Sequence, residues 1–215
     1  MGFILTSSDY VDYIVNTARL IRENGEYISE LDAATGDGDH WANLNLGFES
    51  LVAAGDELRG MPIDAAFRKI GMLMMSKIGG SSGILYGGGY MSASKKCAGR
   101  AELDAVGLCD ALEAMLNDMM ARGGDEPGMK TMIDALYPAV EAFRTGLAAG
   151  DGEKDILSAV KRAAMNGAEA TRDMQAVKGR ASYQTNKGVG HLDPGAVTMS
   201  YQIAMLCDLL IAKPD

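Results

Sequence analysis

Helix-like segments separated by glycine-rich breaks follow one another along the whole chain, and this pattern constrains the fold most. In the first segment, Tyr10, Ile14, Ala18 and Ile21 recur every three or four residues until Asn24-Gly25, where we expect the helix to stop. Similar segments predict helices over about 40–54, 62–78, 83–98, 104–121, 130–148, 153–177 and 194–212. The 15 methionines and the aromatic content of only 6% also favour helices over strands.

Eight helices joined by short loops predict an all-α fold, an antiparallel up-and-down bundle or barrel. We find no linker and no fixed-period repeat, so residues 1–215 are expected to form a single domain. In such a bundle alternate loops lie at the same end. The first, third, fifth and seventh loops should therefore meet, and we expect a binding site in the loops at that end.

Charge and cysteine content exclude several classes of function. The net charge of -9 and the pI near 4.7 would repel a nucleic-acid backbone, so no nucleic-acid partner is expected. The N-terminus lacks a signal-peptide pattern, and no run of eighteen uninterrupted apolar residues predicts a membrane span. Cys97, Cys109 and Cys207 lie in apolar contexts without CxxC spacing, which predicts reduced thiols and a cytoplasmic protein.

The first of the four loops, L31-D-A-A-T-G-D-G-D-H40, contains three aspartates within ten residues. A helix N-cap explains one of them, but close like charges are costly unless a cation joins them. An EF-hand loop that starts at Asp37 would need a glutamate where Phe48 stands, and zinc would need softer ligands. Asp32, Asp37 and Asp39 therefore predict a Mg²⁺ site, with enough carboxylates for two ions.

The other three loops are ambiguous one by one. They are I78-G-G-S-S-G83, R122-G-G-D-E-P-G-M-K-T131, and K178-G-R-A-S182 leading into G190-H-L-D-P-G195. G79-G-S-S-G83 before a helix suits a phosphate but also serves as a turn, and Arg180 suits a phosphate or a helix C-terminus. Asp193-Pro194-Gly195 is also explained as a helix N-terminus. Both histidines, His40 and His191, lie beside loop aspartates. Together the loops predict a Mg²⁺-nucleotide site, with apolar side chains such as Leu44 or Met132 against the base.

Five motifs in order resemble the nucleotide-binding L subunit of dihydroxyacetone kinase over nearly the whole chain. They are L31-D-A-A-T-G-D-G-D-H40 with Asn43, G79-G-S-S-G-I-L-Y-G87, K130-T-M-I-D-A-L-Y-P-A139, K178-G-R-A-S-Y183 and G190-H-L-D-P-G-A196. The resemblance implies an eight-helix barrel with an apolar interior and a nucleotide, ADP or ATP, at one rim. It also implies two Mg²⁺ ions held by Asp32, Asp37 and Asp39. The nucleotide contacts it implies are His40, Asn43, Ser81, Ser82, Gly123, Met132, Arg180, Asp193, Pro194 and Gly195.

The same resemblance implies a phosphotransferase that needs partner subunits. In the family, a separate K subunit holds dihydroxyacetone, and in the bacterial three-subunit type a phosphoryl-carrier M subunit, fed from phosphoenolpyruvate, recharges the bound ADP. His40 after Asp39 favours that type, since fused kinases tend to have cysteine there. Trp41 stands where the family usually has glycine, and the segment 87–94 also departs from its usual pattern.

Other functions stay open at this point. One alternative is a ketose or tetrose kinase subunit that exchanges free ATP, and another is a regulator whose nucleotide state a transcription factor reads. A carrier of apolar ligands in the barrel interior would leave the aspartates unexplained. A homodimer is also open.

Overall fold

The structure, a computed structural model, describes residues 2–213 and is all-α over that range, which confirms the predicted fold class. This range contains ten α-helices, so the predicted number of eight is wrong. They are α1 (Ser7–Glu23), α2 (Gly25–Thr35), α3 (His40–Ala53), α4 (Gly55–Arg59), α5 (Ile63–Lys77), α6 (Gly80–Lys96), α7 (Ala105–Gly123), α8 (Ile133–Ala149), α9 (Glu153–Ala170) and α10 (Pro194–Ile211). Two 3₁₀ turns, Thr171–Asp173 and Arg180–Tyr183, separate α9 from α10.

Eight of the helices form a closed ring. Helix α1 contacts α3, α3 contacts α5, and each helix from α5 to α10 contacts the next, until α10 returns to contact α1. These eight are the helices that the sequence pattern predicted. The two that it missed lie in the connections between ring helices, so the ring itself has the expected number of members.

The missed helices have different physical causes. We expected a helix to stop at Asn24-Gly25, and α1 does end there. Asn24 is, however, both the C-cap of α1 and the N-cap of α2, so the second helix follows the first without a loop. Helix α4 has five residues, too few to show a period. As a result Asp32, expected in a loop, lies on the last turn of α2.

The helix predicted over 153–177 is shorter in the structure, because α9 ends at Ala170. The hydroxyl of Thr171 donates to the carbonyl of Ala168 and accepts the N–H of Asp193. The first bond lies at the C-terminus of α9. The second connects Thr171 to Asp193, the N-cap of α10.

The interior of the ring holds an aromatic cluster. Tyr10 lies 4.9 Å from both Tyr13 and Phe67 between ring centroids, and Tyr90 packs edge-on against Tyr10 and Phe67. The buried hydroxyls of Tyr10 and Tyr90 are hydrogen-bonded at 2.8 Å, so these polar atoms are not left without partners. All three cysteines are buried free thiols, as the sequence predicted.

Helix α10 has the length and composition of a membrane-spanning helix, with a mean hydropathy of 1.3 over 18 residues. In the structure 67% of that window is buried, and α10 contacts α1, α2, α8 and α9. Packing in the ring therefore explains its apolar character.

Candidate metal and nucleotide site

Three carboxylates converge where α2 leads into α3. Asp32 lies on the last turn of α2, and Asp37 and Asp39 follow in the loop before α3. One oxygen from each of the three lies within 4.8 Å of the oxygens of the other two. Gly38 between them has a φ of +80°, which glycine adopts without the strain that a side chain would add. A short run of sequence thus becomes an acidic cluster in space.

Helix capping does not account for this cluster. Asp39 occupies the N-cap position of α3, yet its side chain makes no capping hydrogen bond. Asp32 is 7% exposed, and its carboxylate accepts the N–H of His40 at 2.9 Å. Of the three, Asp37 alone forms an ion pair within residues 2–213, with Arg180. An all-oxygen donor set with this excess of negative charge fits Mg²⁺.

His40 joins the acidic cluster to the core. Its Nε2 lies 2.9 Å from the hydroxyl oxygen of Thr198, a fully buried residue of α10. Burial lowers the pKa of His40, and the neighbouring Asp32 and Asp39 oppose that shift. The imidazole is thus hydrogen-bonded to α10, while the backbone N–H of the same residue donates to Asp32 on α2.

The glycine-serine turn lies at the N-terminus of α6. This helix begins at Gly80, earlier than predicted, so Ser81 and Ser82 lie on its first turn. The cap residue Gly79 has no side chain to engage the first N–H groups, and these have no partners within the helix. A Cβ on Gly79 would lie 2.9 Å from Oδ1 of Asn43, so glycine allows the turn to approach α3 closely. Exposed N–H groups and the positive helix end suit a phosphate.

The third wall comes from the α7–α8 connection. Gly123 is the last residue of α7, and Gly124 ends the helix with a φ of +61°. Met132 lies directly before α8 and is 7% exposed. A Cβ on Gly195 would lie 3.6 Å from Met132, so these two residues come together across the start of α10.

The start of α10 combines a structural role with an unusual carboxylate. Asp193 caps the helix by accepting the N–H of Ala196 at 2.7 Å, and Pro194 takes the first helical position. Burial raises the pKa of Asp193 to about 7, against the effects of the Ala196 hydrogen bond and of nearby Lys130. The capping role predicted as one explanation of this segment is therefore present.

All these segments surround one cavity of about 640 Å³. The four loops that were expected to meet at one end of the bundle do meet there. The residues predicted from the sequence as metal ligands or nucleotide contacts all line the cavity, namely Asp32, Asp37, Asp39, His40, Asn43, Ser81, Ser82, Gly123, Met132, Arg180, Asp193, Pro194 and Gly195. Leu44 lines it as well. Their binding roles are still predictions, but their convergence is a property of the fold.

Several cavity residues were missed by sequence reasoning. Arg122, Lys130, Thr131 and Lys178 also line the cavity. They lie in loops or motifs that the sequence singled out, but none of them was predicted as a ligand. His191 is absent from the lining, and its backbone carbonyl accepts a hydrogen bond from Lys130. Its position near Asp193 in the sequence therefore did not indicate a site role for its imidazole.

Trp41 also lies outside the lining, although it neighbours His40. Its indole N–H donates to the carbonyl of Ile21 at 3.1 Å, and its ring covers Gly25, where a Cβ would lie 2.7 Å from the indole. The side chain thus packs on the α1–α2 junction and leaves the acidic cluster clear.

Comparisons with known proteins agree with this architecture. The DAK2 domain family matches residues 34–208. A Listeria innocua protein named "PEP-dependent dihydroxyacetone kinase 1, ADP-binding subunit DhaL" is 39% identical, over 82% of this chain and 83% of its own length. The Escherichia coli protein named "PEP-dependent dihydroxyacetone kinase, ADP-binding subunit DhaL" is 32% identical, over 94% of this chain and 96% of its own length.

A solved structure has the same fold. The dihydroxyacetone kinase of C. freundii, crystallised in complex with AMP-PNP and Mg²⁺, superposes with a TM-score of 0.72 over 92% of this chain at 25% identity. This chain spans 33% of that longer protein. The class is defined by an all-α ring with a cavity at one end that clustered carboxylates and a glycine-serine helix start line. The chain belongs to the DAK2 domain family, and it matches separate ADP-binding subunits of dihydroxyacetone kinases over most of their length.

Proposed function

We propose that this chain is the ADP-binding subunit of a dihydroxyacetone kinase and carries the nucleotide for phosphoryl transfer. The observation that supports this most is the convergence of all thirteen predicted site residues, from five segments of the chain, on one cavity. Relatives that match over almost their whole length are named as ADP-binding subunits of such kinases.

In this proposal Asp32, Asp37 and Asp39 hold two Mg²⁺ ions. Their oxygens already lie within 4.8 Å of one another, and a single ion would leave much of their charge without compensation. Bound there, the ions would neutralise negative charge on the phosphates.

The remaining cavity residues bind the nucleotide. Ser81 and Ser82 with the N–H groups of α6 face the phosphates, and Arg180 adds a planar cation suited to two phosphate oxygens. Met132 and Leu44 provide an apolar surface for the base. The further contacts are His40, Asn43, Gly123, Asp193, Pro194 and Gly195.

No residue of this chain is assigned as a catalytic base. Phosphoryl transfer depends mainly on positioning and on charge stabilisation, and the site is built for both. The sugar, dihydroxyacetone, is held on a separate K subunit and receives the phosphoryl group from ATP. An M subunit, itself phosphorylated from phosphoenolpyruvate, then donates a new phosphoryl group to the ADP that remains. Residues 1–215 act as one domain in the cytoplasm, without nucleic-acid or membrane partners, and a homodimer is compatible with this arrangement.

The test begins with the purified chain. We expect tightly bound ADP and Mg²⁺ to be released when it is denatured, and phosphoenolpyruvate-dependent phosphorylation of dihydroxyacetone when K and M subunits are added. An empty chain that binds ATP loosely and turns over with free ATP would instead indicate the alternative, a ketose or tetrose kinase subunit with exchangeable nucleotide.

A second alternative is a regulator whose nucleotide state a transcription factor reads. It shares the metal and phosphate ligands with the kinase subunit, so the cavity alone does not separate the two. Tight nucleotide binding without turnover, with any K partner supplied, would favour the regulator.

A further inference from the structure

We propose that Lys130 is a positioning residue for the nucleotide site: its buried ammonium closes the base of the α9–α10 loop (residues 171–193) and so holds Arg180 and Asp193 in place. This inference rests on the proposed nucleotide-binding function for its consequence. Its structural part, the closure of the loop, can be tested without any ligand.

The geometry of Lys130 is unusual for a lysine. The residue is 3% exposed, and its backbone has a φ of +62°, the left-handed region that non-glycine residues seldom occupy. Its Nζ donates to the carbonyls of Thr171 and His191, both at 2.5 Å. Those two carbonyls lie near opposite ends of the α9–α10 loop, so one side chain connects the start of the loop to its end.

Neighbouring bonds close the same base. The N–H of Gly190 donates to the carbonyl of Arg172 at 2.8 Å, and the N–H of Asp193 donates to the hydroxyl of Thr171 at 2.9 Å. Lys130 is the charged member of this set. Because it comes from the loop before α8, it also joins the α9–α10 loop to the wall that contains Met132.

A structural role alone does not explain this residue well. Burying an ammonium is costly, and a well-packed apolar side chain often stabilises a fold as much or more. Strained backbone conformations also concentrate at functional sites, where the surrounding structure holds them. The buried ammonium and the strained backbone both belong to Lys130, which contacts the two ends of the α9–α10 loop. That loop contains two predicted nucleotide contacts, Arg180 and Asp193.

The loop reaches both sides of the cavity from this base. Lys178 donates to the carbonyl of Gly123 at 2.6 Å, at the end of α7. Gln184 donates to the carbonyl of Ala34 at 2.9 Å, at the end of α2. Arg180 lies between these two attachments and pairs with Asp37. If the base opens, Arg180 and the start of α10 lose their fixed separation from the acidic cluster.

The experiment compares the wild-type chain with Lys130→Met and Lys130→Arg. Hydrogen–deuterium exchange without nucleotide reports on the loop, where the N–H groups of Ala176, Gly190 and Asp193 are hydrogen-bonded. Titration with Mg-ADP reports on the site. Lys69→Met is the matched control, since Lys69 also makes two hydrogen bonds through Nζ, to Glu57 at 2.7 Å, but lies on α5.

We expect Lys130→Met to speed exchange in the loop at least tenfold and to weaken Mg-ADP binding at least tenfold, while exchange in α5 to α8 stays within twofold. Lys130→Arg keeps the cation and should therefore reverse at least half of each effect on a logarithmic scale. Lys69→Met should change neither the exchange rate of the loop nor the affinity for Mg-ADP. A general loss of stability would instead speed exchange throughout the ring and would not be rescued by arginine.

Exchange in the loop within twofold of wild type in a folded Lys130→Met chain would overturn the closure. A loosened loop with unchanged Mg-ADP affinity would overturn the positioning role. Should Lys130→Met not fold, Lys130→Gln, which keeps a polar end but removes the charge and shortens the side chain, decides by the same two readouts with a threshold of threefold. Failure of the wild-type chain to bind Mg-ADP would count against the proposed function and the positioning role, while the exchange data would still decide the closure.

Discussion

The hydroxyl oxygen of Thr198 lies 2.9 Å from Nε2 of His40, so the last helix of the ring supports a side chain at the start of α3. The same hydroxyl is 3.2 Å from the carbonyl of Gly195, one turn earlier on α10. Thr198 thus connects the His40 imidazole to the start of α10. Asp193, Pro194 and Gly195 line the cavity there.

Thr198→Val tests this relationship, because valine keeps the shape and removes the hydroxyl. We expect Mg-ADP affinity to fall about 3- to 10-fold, as expected for the loss of a hydrogen bond worth about 1 kcal/mol. Isothermal titration calorimetry would measure it. Ser200→Ala is the control, since Ser200 is buried on the same helix and its hydroxyl donates to the carbonyl of Val197 at 2.8 Å, away from the cavity. Equal losses in both variants would contradict a specific role of Thr198.

Asp37→Ala should weaken nucleotide retention by at least about tenfold without unfolding the helices, because it removes a proposed metal ligand and the partner of Arg180. The free energy of unfolding should change by less than about 1 kcal/mol, as is usual for an exposed pair. Nucleotide content after gel filtration and circular dichroism would show the two effects. Asp12→Ala removes a comparable surface pair, with Arg59 at 2.6 Å, and should leave retention unchanged. Full retention in Asp37→Ala would argue against the metal assignment.

The buried carboxyl of Asp193 should make stability depend on pH. Its folded pKa of about 7 lies above the value of 3.8 that applies when the chain is unfolded. Between pH 4 and 7 the folded state therefore holds a proton that the unfolded state has lost, so this group's contribution to stability falls as pH rises and levels off above pH 7.

Asp193→Asn should remove that dependence, since asparagine also caps helices but does not ionise. We expect the variant to match the wild type near pH 4 and to exceed it by about 4 kcal/mol at pH 8, since each pKa unit corresponds to about 1.4 kcal/mol. Urea unfolding in EDTA, without nucleotide, at several pH values measures the difference. A difference that is constant across this range would indicate that Asp193 does not titrate in it.

Gly25→Ala should displace the single tryptophan. A Cβ at position 25 would lie 2.7 Å from the indole of Trp41, which has to move or lose its hydrogen bond to Ile21. We expect a destabilisation of about 1–3 kcal/mol and a red-shifted emission. Gly60→Ala is the control, because its Cβ would meet nothing closer than 3.7 Å. An unshifted spectrum in Gly25→Ala would contradict the packing of Trp41 on the α1–α2 junction.

Much of the fold could be predicted because the ring helices are long enough to show their period. The Asn24-Gly25 break illustrates the limit of this approach, since the same residues can end one helix or lie between two. Whether α2 forms depends on Ile28 and Asp32 finding buried positions against the rest of the ring, and local sequence does not contain that information.

The candidate site was predictable to the extent that its residues occur in short motifs. Asp37 and Asp39 lie two residues apart, and Ser81 and Ser82 lie at a helix start. Within each motif the local chain therefore fixes how close the side chains are. Lys130 is different, because its role depends on the carbonyls of Thr171 and His191, which reach it only after the ring has closed. No spacing in the sequence indicates such a contact.

The cavity takes Asp32 from near the beginning of the chain and Gly195 from near its end. During synthesis on the ribosome, a growing chain therefore has no complete site until α10 has emerged from the exit tunnel. Ligand binding can then stabilise only chains that include α10. A chain released before α10 would therefore gain no stability from the ligand, which sets it apart from a chain that contains the whole ring.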